Sequence, residues 1–419
     1  MSAVLLRPGL RRRVFFGVRL ADQDDADDGA LVVEVHPESS AAASGVEVGD
    51  RILTIGGDPV DGGLACQRLI KGLDPGSRID LEVVRGRDRR SLRGVARPWP
   101  TERFPGSTLV LDHVGAPGRR QRIFYTRPEG GGRRPAVMLM RGFSCRSSEF
   151  PFAPNTPLRL LLSAWARAGY CTLRVEKPGV GDSEGPPCPE NDFSAELAGA
   201  RAGLDYLRRC EGVDPDRIAL FGHSVGGMIA PLLAVESRVA GIGTLGTSAD
   251  RFSECAAASR RRQLTLAGTP PHDLPAQEAL QALLVRDRLS LEEALRRRPE
   301  LASAVPRLLP GGRLFGRSLT YSRELDHAPI EGAWRAVDAE VAIFHAEYDY
   351  VCIREEAARI VELVNAEGRG RARLVELPGA GHLLYTHSSL QAAFDEPEVG
   401  STECGIVEAT LEWLGRAFA

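Results

Sequence analysis

The segment running from Ile218 to Ala234 constrains the fold of this chain more than any other. Ile218-Ala-Leu-Phe221 is an apolar run, Gly222-His223-Ser224-Val225-Gly226 is a tight turn, and Gly227-Met-Ile-Ala-Pro-Leu-Leu-Ala234 is apolar again. This reads as strand, sharp turn and buried helix. Glycines two positions either side of Ser224 let the flanking backbone crowd together, and the turn displays the serine hydroxyl. Gly181-Asp-Ser183-Glu-Gly185 has the same spacing, but Pro186-Pro187 follows and cannot continue a helix interior, so Ser183 is assigned to a loop.

Strand and helix signals alternate on both sides of this turn. Strands are expected at 108–113, 122–126, 136–140, 171–175, 218–221, 239–245, 341–345 and 372–377. Helices are expected at 156–167, 191–210, 226–236, 354–365 and 405–417. In the second helix Phe193, Leu197, Ala200, Leu204 and Leu207 recur at helical spacing and define one buried face. Such alternation implies an α/β fold with a mostly parallel sheet covered on both faces. Residues 249–337 break the rhythm with a helix-rich, arginine-rich stretch after the sixth strand. It is read as a cap over the carboxyl ends of the strands, with Ser290 capping one of its helices.

The chain has 419 residues, more than one compact core usually holds, so two domains are expected. A net charge of −3 argues against nucleic acid as a partner. The runs Arg11–Arg13, Arg260–Arg262 and Arg296–Arg298 are read as solvated faces. No stretch reads as a membrane span and no leader is recognised, so a cytoplasmic location is the expectation. Eight cysteines without paired spacing give no metal site. Cys145 and Cys188 are placed at one cleft, where they could pair or merely pack, and reduced thiols are the expectation.

Residues 1–12 are read as an N-terminal tail, and 13–98 as a small β-rich domain. Its matching residues are Phe16-Gly17-Val18, Ser40 to Gly45, Val48 to Leu53, Gly57 to Val60, and Asp74 to Ser77 with Arg85-Gly-Arg87. Strands are expected at 15–20, 30–35, 51–55 and 79–84, with a short helix at 64–70. The region resembles a bacterial PDZ domain. That resemblance implies capture of an extended peptide or a protein C-terminus at Phe15, Phe16, Gly17 and Val18, with Arg11, Arg12 and Arg13 adding favourable charge. A spacer, lid or dimerisation role is the alternative. Residues 99–107 are read as a linker.

Residues 108–419 resemble the α/β-hydrolase superfamily in the turn at Ser224 and in the chain order serine, acid, histidine. The resemblance implies a triad of Ser224 as nucleophile, His382 as base and Asp349 as the acid that orients it, with Glu347 as the rival acid. Backbone N–H groups of Phe143 and Val225 are expected to form the oxyanion hole, with Ser144 as runner-up to Phe143. Arg141 stands where histidine is common in the superfamily. Arg141–Cys145 and Arg174–Cys188 are similar to segments of one bacterial subgroup, and Glu176, Lys177, Asp182 and Glu184 are read as an internal salt-bridge network, with contact to substrate as the alternative. The expected protein is a serine hydrolase acting on an acyl or peptide-like substrate, an ester, thioester or peptide, with no metal or organic cofactor. An acyltransferase or cyclase using the same triad, and a non-catalytic adaptor, are the alternatives.

Overall fold

Alternate residues of single strands feed two different cores. Ala136, Met138 and Met140 face one side of the sheet, while Val137 and Leu139 face the other. In the computed structural model, which describes residues 3–21, 29–268 and 273–419, this pattern builds a sheet of nine strands among those residues. Their order is Ala3–Leu6, Ser107–Val114, Gln121–Pro128, Cys171–Val175, Arg134–Met140, Val213–His223, Gly241–Leu245, Glu340–Tyr348 and Arg371–Gly381. Only Gln121–Pro128 runs antiparallel to its neighbours. Helices Phe193–Arg209, Val225–Glu236 and Arg354–Ala366 cover the first face; Pro157–Arg167 and Ile406–Ala417 cover the second. The fold is that of an α/β hydrolase.

The cap expected at 249–337 lies between Gly241–Leu245 and Glu340–Tyr348 and begins with helix Phe252–Leu266. Its residues 269–272 fall outside the described set. The Ser290 hydroxyl accepts the Glu293 N–H at 3.1 Å and starts helix Leu291–Arg297, as the sequence suggested.

The small N-terminal domain is antiparallel, with strand order Val18–Leu20, Ala30–Val35, Arg51–Ile55, Arg78–Arg85 and Asp88–Val95, and helix Gly62–Gly72 beside it. Two expectations need correction here. Residues 3–6, read as tail, form a strand parallel to Ser107–Val114 in the large sheet. Residues 99–107, read as linker, are packed: Phe104 is buried in the second core, and the buried Glu102 pairs with Arg174 and Arg159.

The strand expected at 15–20 covers only Val18–Leu20; before it Phe16 is buried in the small domain's own core and Phe15 is buried at a contact between domains. Phe15 stacks on Phe152 with ring centroids 4.6 Å apart, and Trp99 and His36 close around the same ring. Arg12 pairs with Asp182 and Glu149, and the backbone N–H of Arg13 donates to Asp182 at 2.8 Å. Lys71 donates to the Ser183 carbonyl. Of the charge expected to favour a peptide carboxylate, Arg12 and Arg13 are therefore directed into the large domain, while Arg11 pairs with Asp74 of the small domain itself.

Candidate active site

Ser224 carries a φ of 55° and ψ of −123°, a region that L-residues occupy only when their surroundings impose it. Its N–H donates to the Leu245 carbonyl of the neighbouring strand, and its carbonyl accepts the Gly227 N–H, both at 2.8 Å. The glycines show why the turn has this composition. A Cβ on Gly222 would lie 2.4 Å from the Gly226 carbonyl oxygen, and one on Gly226 would lie 2.3 Å from that of Met140. Ser183, by contrast, is buried, and its hydroxyl accepts the Arg122 N–H.

Asp349 and His382 lie in loops at the ends of adjacent strands. The His382 Nδ1 is 2.8 Å from the Asp349 Oδ2, while Oδ1 accepts the N–H groups of Val351 and Cys352 at 2.8 and 2.9 Å. Burial alone would raise the Asp349 pKa. The imidazole and these donors outweigh burial and hold the carboxyl below its ordinary range. Glu347 is exposed and accepts the Gly379 N–H at 2.8 Å.

Two contributors to this pair were not singled out in the sequence. The Nε2 of His223, the variable residue of the turn, lies 2.9 Å from the His382 carbonyl oxygen, with ring centroids 4.9 Å apart. Burial pushes the His223 pKa down to about 3, with the His382 ring adding to the shift, so its neutral ring donates Nε2–H to that carbonyl. Gly246 (φ 61°) lies behind both partners: a Cβ there would be 2.7 Å from the His382 Cε1 and 2.9 Å from the Asp349 Oδ2. Neither role has a local sequence signature, because each depends on a strand distant in the chain.

The loop after Arg134–Met140 brings Gly142 against the serine; a Cβ on Gly142 would be 2.8 Å from the Ser224 Cβ. The Gly142 carbonyl accepts from Lys177, whose ammonium also pairs with Glu196 at 2.8 Å. Arg317 donates to the Phe143 carbonyl at 3.1 Å and lies 3.4 Å from Glu196. A trans peptide directs its N–H opposite to its C=O, so holding the Gly142 oxygen also fixes the direction of the Phe143 N–H. Val225 opens its helix, and its N–H has no intrahelical acceptor. Arg141 donates to the carbonyls of Arg146 and Ser147, stapling its own loop.

The four charged residues read as a network are all engaged within the protein. Glu176 accepts from Ser147 and Ser148, Asp182 pairs with Arg12 and Arg122, and Glu184 accepts the Arg120 N–H, alongside Lys177 as above. The expectation of reduced thiols is overturned. The loops following Arg134–Met140 and Cys171–Val175 converge, placing the Cα atoms of Cys145 and Cys188 5.8 Å apart, within disulfide reach, and the two are bonded.

A cavity of about 410 Å³ opens beside Ser224 under the cap, walled mainly by Phe143, Met228, Phe252, Cys255, Phe315 and Val351. No helix among the described residues is long and apolar enough to cross a membrane.

Residues 137–394 match the family model described as "Alpha/beta hydrolase family", and the chain belongs to that family. Residues 14–93 match the PDZ domain model. The chain is 34% identical over 76 residues to a "Probable periplasmic serine endoprotease DegP-like" of Halomonas elongata, a match covering 18% of this chain and 16% of that protein. It is 27% identical over 150 residues to "Polyketide transferase ATR5" of Stachybotrys chlorohalonatus, covering 34% of this chain and 48% of the relative. The chain thus spans less than half the length of either relative. Among solved structures, Est1E from Butyrivibrio proteoclasticus aligns with a TM-score of 0.45 at 17% identity, over 73% of this chain and 99% of that one.

Proposed function

We propose that the protein is a serine hydrolase that cleaves an ester or thioester through an acyl-enzyme. The observation that carries this reading is the Asp349–His382 pair at 2.8 Å on the strand ends that also hold the strained Ser224 turn. With Nδ1–H donated to Asp349, the Nε2 of His382 is free to take the Ser224 hydroxyl proton as the oxygen attacks the substrate carbonyl. The N–H groups of Phe143 and Val225 receive the negative charge of the tetrahedral intermediate. His382 then returns the proton to the departing alcohol or thiol, and water repeats the sequence to free Ser224.

A second reading, acyl transfer to an amine or hydroxyl, draws on the apolar walls around Ser224, which limit the access of water. The relative named a polyketide transferase is in keeping with it. For the PDZ domain we infer addition of an extended peptide along Val18–Leu20, the outermost strand of its sheet, while Phe15 and Arg12 tie the domain to the hydrolase. A disulfide such as Cys145–Cys188 persists in oxidising compartments and is transient in the cytoplasm, so a cytoplasmic location is proposed only with a reducible bond.

Covalent labelling by a fluorophosphonate tests the central reading. Wild type and Ser183→Ala should label and Ser224→Ala should not; labelling that persists in Ser224→Ala would refute it. Product analysis with water and competing amines or alcohols then separates hydrolysis from transfer.

A further inference from the structure

Arg260 is the single ionised side chain among the residues that wall the cavity under the cap. Helix Phe252–Leu266 lays Phe252, Cys255, Ala256, Ser259, Arg260 and Gln263 along this wall, the spacing of one helical face. In sequence Arg260-Arg261-Arg262 looks like one solvated basic patch. In the structure the three guanidinium groups diverge. Arg261 pairs with Glu278 at 2.6 Å, and Arg262 donates to the carbonyls of Tyr350 and Val351 with Glu356 4.0 Å away.

Arg260 has no such answer. Its Nη2 donates to the Arg307 carbonyl at 3.1 Å and its guanidinium carbon lies 5.9 Å from the centre of the Phe315 ring. Its Nε is buried without a hydrogen-bond partner, and among the described residues no carboxylate forms an ion pair with it. Burial lowers its pKa with no acidic neighbour offsetting the shift. A partly buried cation short of acceptors, on an otherwise apolar wall, is costly to the empty protein and is relieved by an anionic occupant.

Resting on the acyl-enzyme reading above, we propose that the cavity takes an apolar acyl group ending in a carboxylate, which Arg260 pairs with at the end remote from the scissile bond. The acyl half is the one assigned to the cavity because it stays bonded to Ser224 through both half-reactions, whereas the alcohol must leave. The substrate class is then the half-ester or half-thioester of a dicarboxylic acid. Attack by the Ser224 oxygen breaks the bond to the alcohol or thiol, which departs with the serine proton, and water releases the dicarboxylate.

The test compares p-nitrophenyl half-esters of straight-chain dicarboxylic acids with neutral p-nitrophenyl esters of equal chain length, using the full chain. Wild type should favour the carboxylate-ended series at its best length. Arg260→Gln should lower kcat/KM for that series on the order of 10- to 100-fold more than for the neutral one, the range of a charge-assisted hydrogen bond. Arg260→Lys should keep part of the preference. Equal kcat/KM ratios in wild type and Arg260→Gln would overturn the proposal while normal fluorophosphonate labelling left the hydrolase reading standing. Were labelling and turnover both absent, calorimetric titration with a straight-chain methyl ketone ending in carboxylate, beside its primary amide, would decide: tighter binding of the carboxylate, lost in Arg260→Gln, supports the proposal, and equal binding overturns it.

Discussion

Asp349 and Glu347 stand two positions apart, a spacing that would share one face within a strand, but Glu340–Tyr348 ends between them and the turn that closes on the Ala346 carbonyl gives Asp349 different surroundings. Asp349 is buried on His382 while Glu347 is exposed on the Gly379 N–H. Asp349→Asn should therefore lower kcat on the order of 10⁴-fold, because an amide donor favours the tautomer in which Nε2 already holds a proton. Glu347→Gln should change it far less; kinetics that reverse this order would reassign the acid. Ser224, Asp349 and His382 were legible because each ends a strand with a recognisable pattern. His223 was not, since its role exists only when the His382 loop folds over it. Its depressed pKa has a consequence for stability. Between an ordinary value near 6.5 and about 3, the unfolded chain binds a proton that the folded ring refuses. Stability from this residue is full above pH 6.5 and is lost as pH falls towards 3. In urea denaturation, His223→Gln should narrow the gap in midpoint between pH 7 and pH 5; an unchanged gap would show that other groups set it.

The regular elements were readable from periodicity: the expected helix at 156–167 forms as Pro157–Arg167 and that at 354–365 as Arg354–Ala366. What periodicity could not supply was the purpose of the irregular segments between them. The glycine-rich segment after Cys171–Val175 looks in sequence like a loop supporting itself. Its Lys177 instead grips the Gly142 carbonyl of another loop, which orients the Phe143 peptide. Lys177→Met keeps the aliphatic length and removes that grip. It should reduce kcat on the order of 10- to 100-fold, below the loss from deleting an oxyanion donor outright, with KM little changed. A lowered denaturation midpoint with normal kcat would make Lys177 structural alone. The meeting of Cys145 and Cys188 at one cleft was readable from the strands they follow, but their bond was not, because neither spacing nor composition fixes the oxidation state of two neighbouring thiols.

For the molecule as a whole, the PDZ match in sequence suggests an independent module whose removal spares chemistry on small activated esters. The contacts argue otherwise. Deleting residues 1–98 strips Arg12 from Asp182 and Glu149, uncovers Phe152 and removes the outer strand of the large sheet. Breaking such a buried ion pair costs on the order of 3–5 kcal/mol. The truncated chain should therefore melt at a markedly lower temperature and lose small-ester activity with its fold; an unchanged melting profile would restore the independent module. The strand Ala3–Leu6 carries the further point. The polypeptide belongs to the large sheet both before it enters the PDZ domain and after it leaves. A module hung from one tether can swing through a wide arc, whereas one strapped at both ends can only tilt or twist. Any message a bound peptide sends to the serine must then travel as a small strain through Arg12, Arg13 and the loops that carry Ser147, Glu149 and Asp182, not as the opening of a door.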